Sequence, residues 1–234
     1  MHLGKHLLLF GFTVFLAIAC KDRPLENSSV NEGIPAETVA NVKGDVQIYQ
    51  VVPSATIIHW EGYKPAMGVT HEGTVNVSQG QIFVENNMVS GGNFTIDFRT
   101  IADTDLEGSS REKLEAHLKG TVEGKENDFF NINKYPTGLF EITKVTSLAG
   151  NSEANAMIYG NLTIKDITRS VGFTANLDLE NGVITATTPL FKIDRTEFGI
   201  QVLSKKFFDN LKDNFVADEF GIRIELRAET GKDI

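Results

Sequence analysis

From Val46 onward, apolar and polar positions alternate along the chain. In GGNFTIDFRTI (91–101), Phe94, Ile96 and Phe98 share one face, and Asn93, Thr95, Asp97 and Arg99 share the other. Near the C-terminus, Phe220, Ile222, Ile224 and Leu226 alternate with Glu219, Arg223, Glu225 and Arg227. A period of two marks a strand with one buried and one wet face. The same texture predicts strands in VQIYQVV, ATIIHWEGYK, GLFEITKVTSL, AMIYGNLTIK, RSVGFTANLDLE and GVITATTPLFKI. GTVNVS and QIFVEN are expected to pair as a hairpin turning at Gln79-Gly80, and IKDITR (164–169) reads as another hairpin turn. Two stretches depart from the pattern. SSREKLEAHLKG (109–120) predicts a helix capped by Ser109 or Ser110, with Leu114 and Leu118 four apart, and SKKFFDNLKDNF (204–215) predicts a second short helix. Eight or more antiparallel strands over ~180 residues give an all-β domain, a sandwich or a closed barrel, and periodicity alone does not choose between them.

The N-terminal part reads differently. A basic start at Lys5 precedes an apolar run from Leu7 to Ala19, which has the form of a secretory signal and is short for a membrane span. Cys20 follows Ala17, Ile18 and Ala19, a setting that resembles a bacterial lipobox. The expectation is a signal peptide over 1–19 and a lipidated Cys20 that starts a polar, Pro-containing tether over 20–45. A single domain then spans 46–230. Anchoring through Cys20 would place the protein at a membrane of the cell envelope, periplasmic or surface-facing, with each buried acyl CH₂ contributing roughly 0.8 kcal/mol.

Charge removes some functions. The net charge is −9 with 22 basic and 31 acidic side chains. Removing residues 1–19 takes Lys5 with it and leaves 21 against 31. Such a chain lacks the basic surplus that neutralises phosphates, so nucleic acid is not an expected partner. With Cys20 the only cysteine, an intramolecular disulfide and a cysteine zinc site are both ruled out.

No nucleophile elbow, HExxH, Walker loop or dinucleotide fingerprint is present. His59, His71 and His117 are the histidines beyond the leader, and their spacing does not favour a metal site. In IDRTEFGI (193–200), Asp194 suits a charged turn that binds nearby amides, with Arg195 pairing a carboxylate. An enzyme would need His71, His117 and Asp194 to converge on one pocket. The surplus is aromatic: of 16 phenylalanines only Phe10, Phe12 and Phe15 lie in the leader. Phe129, Phe130, Phe207, Phe208 and Phe215 fall in irregular segments, where they can line the mouth of a barrel rather than fill the centre of a sheet.

Taken in order, several motifs resemble the YceI family of lipid-binding periplasmic proteins. They are HWEGYK (59–64) with THEG (70–73), GGNFTIDFRTIADTDL (91–106), KLEAHLKG (113–120) and DFFNINKYPTGLFEIT (128–143). YGNLTIKDITRSVGF (159–173), FKIDRTEFGI (191–200) and DEFGIRIELRAE (218–229) complete the set. The resemblance implies an eight-stranded antiparallel lipocalin-like barrel with short helical connectors, running from about Val51 to Ala228. It implies a non-catalytic protein that binds or transports a polyisoprenoid, quinone-like or fatty-acyl chain, and the motif search gives no cofactor or metal to expect. Trp60, Phe94, Phe98 and Phe140 are then expected to line the cavity, joined by Phe129, Phe130, Phe173 and Phe208. One of the Phe129–Phe130 pair is expected to point inward while the other closes the end. Lys64, His71, Lys165 and Arg169 are the expected headgroup contacts. Three alternatives stay open: an enzyme of envelope lipid or stress metabolism, a barrel packed solid for a structural role, and a homodimer in place of a monomer.

Overall fold

The computed structural model describes residues 29–30, 46–150 and 153–231. The leader, Cys20 and most of the predicted tether lie outside the described residues. The described chain begins with β1 (Ser29–Val30) and β2 (Gln47–Val51), then β3 (Ile57–Lys64), β4 (Val69–Glu85) and β5 (Met88–Asp103). One helix, α1 (Gly108–Lys119), leads to β6 (Thr137–Ser147), β7 (Ala156–Ile164) and β8 (Ile167–Glu180). Strands β9 (Val183–Thr187), β10 (Phe191–Asp194) and β11 (Glu219–Thr230) complete it.

The strands close on themselves. Antiparallel pairing runs β3–β4–β5–β6–β7–β8–β9–β11 and back to β3, a ring of eight strands. Closure leaves no free edge along this path. Strand β2 extends the ring at one end, between Gln81–Val84 of β4 and Ala228–Thr230 of β11. At the opposite end β10 pairs with Glu219–Ile222 of β11. The stretch expected as one strand over 182–193 is split there, because Pro189 has no N–H to give a ladder. Thr188 bridges the break by accepting the Ile224 N–H on its Oγ1 at 2.9 Å.

Burial follows the sequence period. Along β5, Phe94, Ile96 and Phe98 are buried while Asn93 and Arg99 are exposed. The buried face of each strand points into the ring, where Val77, Ile82, Ile142, Ile158, Ile184 and Ile222 belong to one continuous apolar cluster.

Some local expectations are corrected. β4 runs unbroken through Gln79-Gly80, and the hairpin turns instead at Asn86–Asn87, both with positive φ (52° and 61°). Two asparagines in the left-handed region make the tight turn that a right-twisted hairpin favours. Gly80 serves close approach, since a Cβ there would lie 2.8 Å from both Asn93 O and the Phe94 ring. Helix α1 starts at Gly108, so Ser109 and Ser110 sit in its first turn, and Glu107 holds the cap position without a side-chain bond. No helix forms over 204–215, where positive φ at Asn210 (65°) and Lys212 (50°) interrupts any helical run. The turn at Lys165-Asp166 is as expected, with φ of 51° and 63°.

Candidate functional site: the cavity inside the ring

The ring interior is not packed solid. It encloses a cavity of about 230 Å³, and every strand of the ring contributes to its wall. Along β5 alone the wall runs from Val89 to Ile101, twelve steps of about 3.3 Å, or roughly 40 Å of strand. Barrel strands tilt about 35–45° to the axis, so the space is elongated but shorter than this strand contour.

Aromatic rings form a band across it. Phe94 and Phe140 lie 6.1 Å apart, Phe140 and Phe173 5.6 Å, and Phe173 and Phe191 4.6 Å at an interplanar angle of 9°. Glycines make this band fit. A Cβ on Gly160 would lie 2.4 Å from the Phe140 ring, and one on Gly73 would lie 2.4 Å from the Trp60 indole. Trp60 Nε1 donates to Thr74 O at 3.2 Å, so its one polar atom is satisfied.

One end of the ring carries the helix and the long loops. α1 packs on β5 there, and Leu118, Phe129 and Phe130 reach the cavity wall. Phe130 lies against Phe98, the ring centroids 4.5 Å apart and the planes tilted by 35°. Phe129 meets the edge of His117 at 5.1 Å, and His117 Nε2 is 2.7 Å from Asp128 Oδ2. Both phenylalanines thus face the cavity, and Phe129 also ties the loop to the helix. Pro136 O accepts the Phe98 N–H at 3.0 Å, which fixes the chain's entry into β6.

The same end holds Glu61, Arg195 and Glu219, which border the cavity while its surface stays almost wholly apolar. Arg195 is only 4% exposed. Its guanidinium donates to Ala217 O at 2.9 Å, Ile200 O at 2.7 Å and Val216 O at 3.1 Å. Asp218 stands 3.8 Å away. Burial pulls the Arg195 pKa down, against the Asp218 and Asp194 carboxylates. The expected carboxylate pairing is thus secondary to three backbone carbonyls, which hold the 199–218 loop over the ring. Tyr63 donates its hydroxyl to Glu61 Oε2. Burial, then that bond and the Glu61 charge, push the Tyr63 pKa up to about 12.

Asp194 behaves as the expected charged turn. Its Oδ1 accepts from Thr196 N at 2.8 Å and Thr196 Oγ1 at 2.6 Å, and its Oδ2 accepts from Lys206 Nζ at 2.6 Å. Burial pushes its pKa up, but the Lys206 ammonium and the Thr196 donors outweigh this and hold it below the usual carboxylate value. A depressed folded pKa contributes stability that is complete above the unfolded value of about 3.9 and disappears as pH falls through the lower folded value. Lys206→Met raises the folded pKa, so its acid-unfolding midpoint, followed by circular dichroism, is expected at higher pH than that of the parent. An unchanged midpoint would assign the shift to Thr196 alone.

Among the predicted residues, Trp60, Phe94, Phe98, Phe129, Phe130, Phe140 and Phe173 all stand on the cavity wall. Phe208 does not: it is 49% exposed, carried outward by the turns that replace the predicted helix. The four candidate headgroup contacts are not on the wall either. Lys64 closes β3 on the rim. His71 Nδ1 lies 3.0 Å from Asp105 Oδ2, Lys165 donates to Asn127 O at 3.0 Å, and Arg169 pairs with Glu197 at 3.3 Å. Burial lowers the Lys165 pKa, with Asp128 opposing and Lys134 assisting. His71, His117 and Asp194, the residues an enzyme would need together, each have separate partners, and none reaches the wall. Arg195, Glu61 and Glu219 were not foreseen as wall residues, since they lie at the ring's end, where strand phase no longer tells inside from outside.

The family described as the YceI-like domain matches residues 49–228. No curated protein matches the chain. Among solved structures, BcnA from Burkholderia cenocepacia is similar at 20% identity and a TM-score of 0.57, over 76% of this chain and 98% of that one. A polyisoprenoid binding domain from Saccharophagus degradans, implicated in plant cell wall breakdown, is similar at 12% identity and a TM-score of 0.53. It covers 78% of this chain and 98% of that one. At these identities the likeness is one of fold.

Proposed function

Because the chain belongs to the YceI-like family, we propose that its ring binds one long-chain apolar lipid, a polyisoprenoid or a quinone-like or fatty-acyl chain, without transforming it. The observation that carries this reading is the wall itself: apolar side chains from all eight ring strands around one elongated space. A polyisoprenoid is the leading member of the class, in line with the ligand named for the Saccharophagus degradans domain. Cys20, acylated after removal of the leader, holds the protein at an envelope membrane, and the lipid moves between that membrane and the ring.

The polar end favours a particular headgroup. The cavity surface is almost wholly apolar even there, because Arg195 serves three carbonyls, Glu61 accepts from Tyr63 and Glu219 stands 3.5 Å from Lys192. A diphosphate carried into this space would leave water with no counter-charge to meet it, whereas a neutral hydroxyl or quinone carbonyl gives up far less hydration. The test is native mass spectrometry of the chain purified without detergent and then incubated with a prenyl alcohol, a quinone or a prenyl diphosphate. The expected result is a one-to-one complex with the alcohol or quinone and weaker retention of the diphosphate. A mass unchanged by all three would sink the carrier reading. Tighter retention of the diphosphate would sink only the neutral-headgroup assignment.

A further inference from the structure

Away from the cavity, on the outer rim where β4, β5 and α1 meet, three side chains converge. His71, Asp103 and Asp105 each offer one ligand atom, and these atoms lie within 4.8 Å of one another. The outer oxygens are already committed: Asp105 Oδ1 accepts Glu72 N–H at 2.8 Å, and Asp103 Oδ1 accepts Leu106 N–H at 2.7 Å. Arg111 Nε stands 4.0 Å from that same Asp103 Oδ1. The remaining atoms lie within the group, where His71 Nδ1 and Asp105 Oδ2 pair with each other. Asp103 has a side chain 0% exposed, and its Oδ2 has no N–H or hydroxyl donor, only the neighbouring Asp105 carboxyl.

A buried carboxylate oxygen without a donor is rare, because its lost hydration goes unreplaced. A second carboxylate beside it adds repulsion. One divalent cation removes both costs. Ligand atoms bonded at about 2.0–2.2 Å to one ion stand roughly 3.0–3.6 Å from their neighbours. His71 Nδ1 and Asp105 Oδ2 already stand 3.0 Å apart, and the group, which lies within 4.8 Å, closes around an ion by side-chain rotation. Backbone N–H groups already orient both carboxylates, as second-shell donors do in metal sites. The imidazole nitrogen favours a zinc-class transition ion over calcium or magnesium, which prefer oxygen alone.

We propose that His71, Asp103 and Asp105 form a divalent metal site of the zinc class, completed by water. The ion would join β4 to the turn that enters α1. Asp103 is the register partner of Gly73, which carries the Trp60 ring, and α1 ends beside Leu118 on the cavity wall. The site therefore clamps the cover at one end of the ring.

The test is calorimetric titration of the chelator-stripped, tag-free chain with Zn²⁺, alongside thermal unfolding. The expected result is uptake of one equivalent and a rise in Tm. Asp103→Asn keeps the shape and the Leu106 acceptor and is expected to weaken binding at least about tenfold, as is His71→Ala. Asp105→Asn, at an exposed position, reads the same loss should the Asp103 variant fail to fold. His117→Ala and His59→Ala are expected to bind as the parent does. No uptake, or uptake unchanged in the His71 and Asp105 variants, would overturn the site and leave the two aspartates as a proton-sharing pair.

Discussion

Replacing Arg195 with alanine is expected to destabilise the protein by about 3–5 kcal/mol, which for a domain of this size lowers Tm by roughly 10 °C. The guanidinium is 4% exposed and bonds the carbonyls of Ile200, Val216 and Ala217. Its removal strands three acceptors beside the cavity, where water reaches them poorly, at about 1–3 kcal/mol each before relaxation. Asp218 would also lose its counter-charge, which stands at 3.8 Å. Arg195→Lys restores charge but not the planar fork, so it is expected to recover less than half of the loss. Differential scanning calorimetry of the three proteins reads this directly. A drop in Tm of only about 2 °C in the alanine variant would mean that apolar contacts of Ile200 and Val216 hold the loop without the fork.

Arg195 also shows where sequence reading stops. Its place in a charged turn was legible from IDRTEFGI, but its partners lie up to 22 residues away in a loop with no periodic pattern. The strands were legible because alternation is a local property, and Phe94, Phe98, Phe140 and Phe173 inherit their inward direction from it. The two misplaced features, a turn at Gln79-Gly80 and a helix over 204–215, rest on composition alone. Gly80 could mark a turn or a close approach, and only the pairing partner Phe94 decides. In the 204–215 stretch, good helix formers lost to left-handed residues that no local pattern announces. Phe208 was misassigned for the same reason. The His71–Asp103–Asp105 group depends on the β4–β5 register, which sets Gly73 opposite Asp103 and so brings residues some thirty positions apart to one rim.

Replacing Phe173 with aspartate is expected to lower affinity for a prenyl alcohol by about 100-fold or more. Phe173 stands between Phe140 and Phe191 in the aromatic band and is 6% exposed. A prenyl chain burying on the order of 500 Å² gains roughly 12 kcal/mol in gross terms. Association and ordering cost about 4–15 kcal/mol, so the surplus is small. A carboxylate in the wall costs about 3 kcal/mol or more on desolvation, enough to remove most of that surplus. The same charge also strains the fold, so a second variant separates the two effects. Ala186 lies on the wall between Leu177 and Leu226 of the neighbouring strands. Ala186→Trp projects an apolar ring into space that is empty rather than packed, so the fold is expected to keep its Tm while the ligand loses its room. Fluorescence titration and native mass spectrometry would follow both variants. A folded Ala186→Trp protein that still retains the lipid at parental affinity would show that the chain binds elsewhere, and the interior would then be a cavity without a ligand.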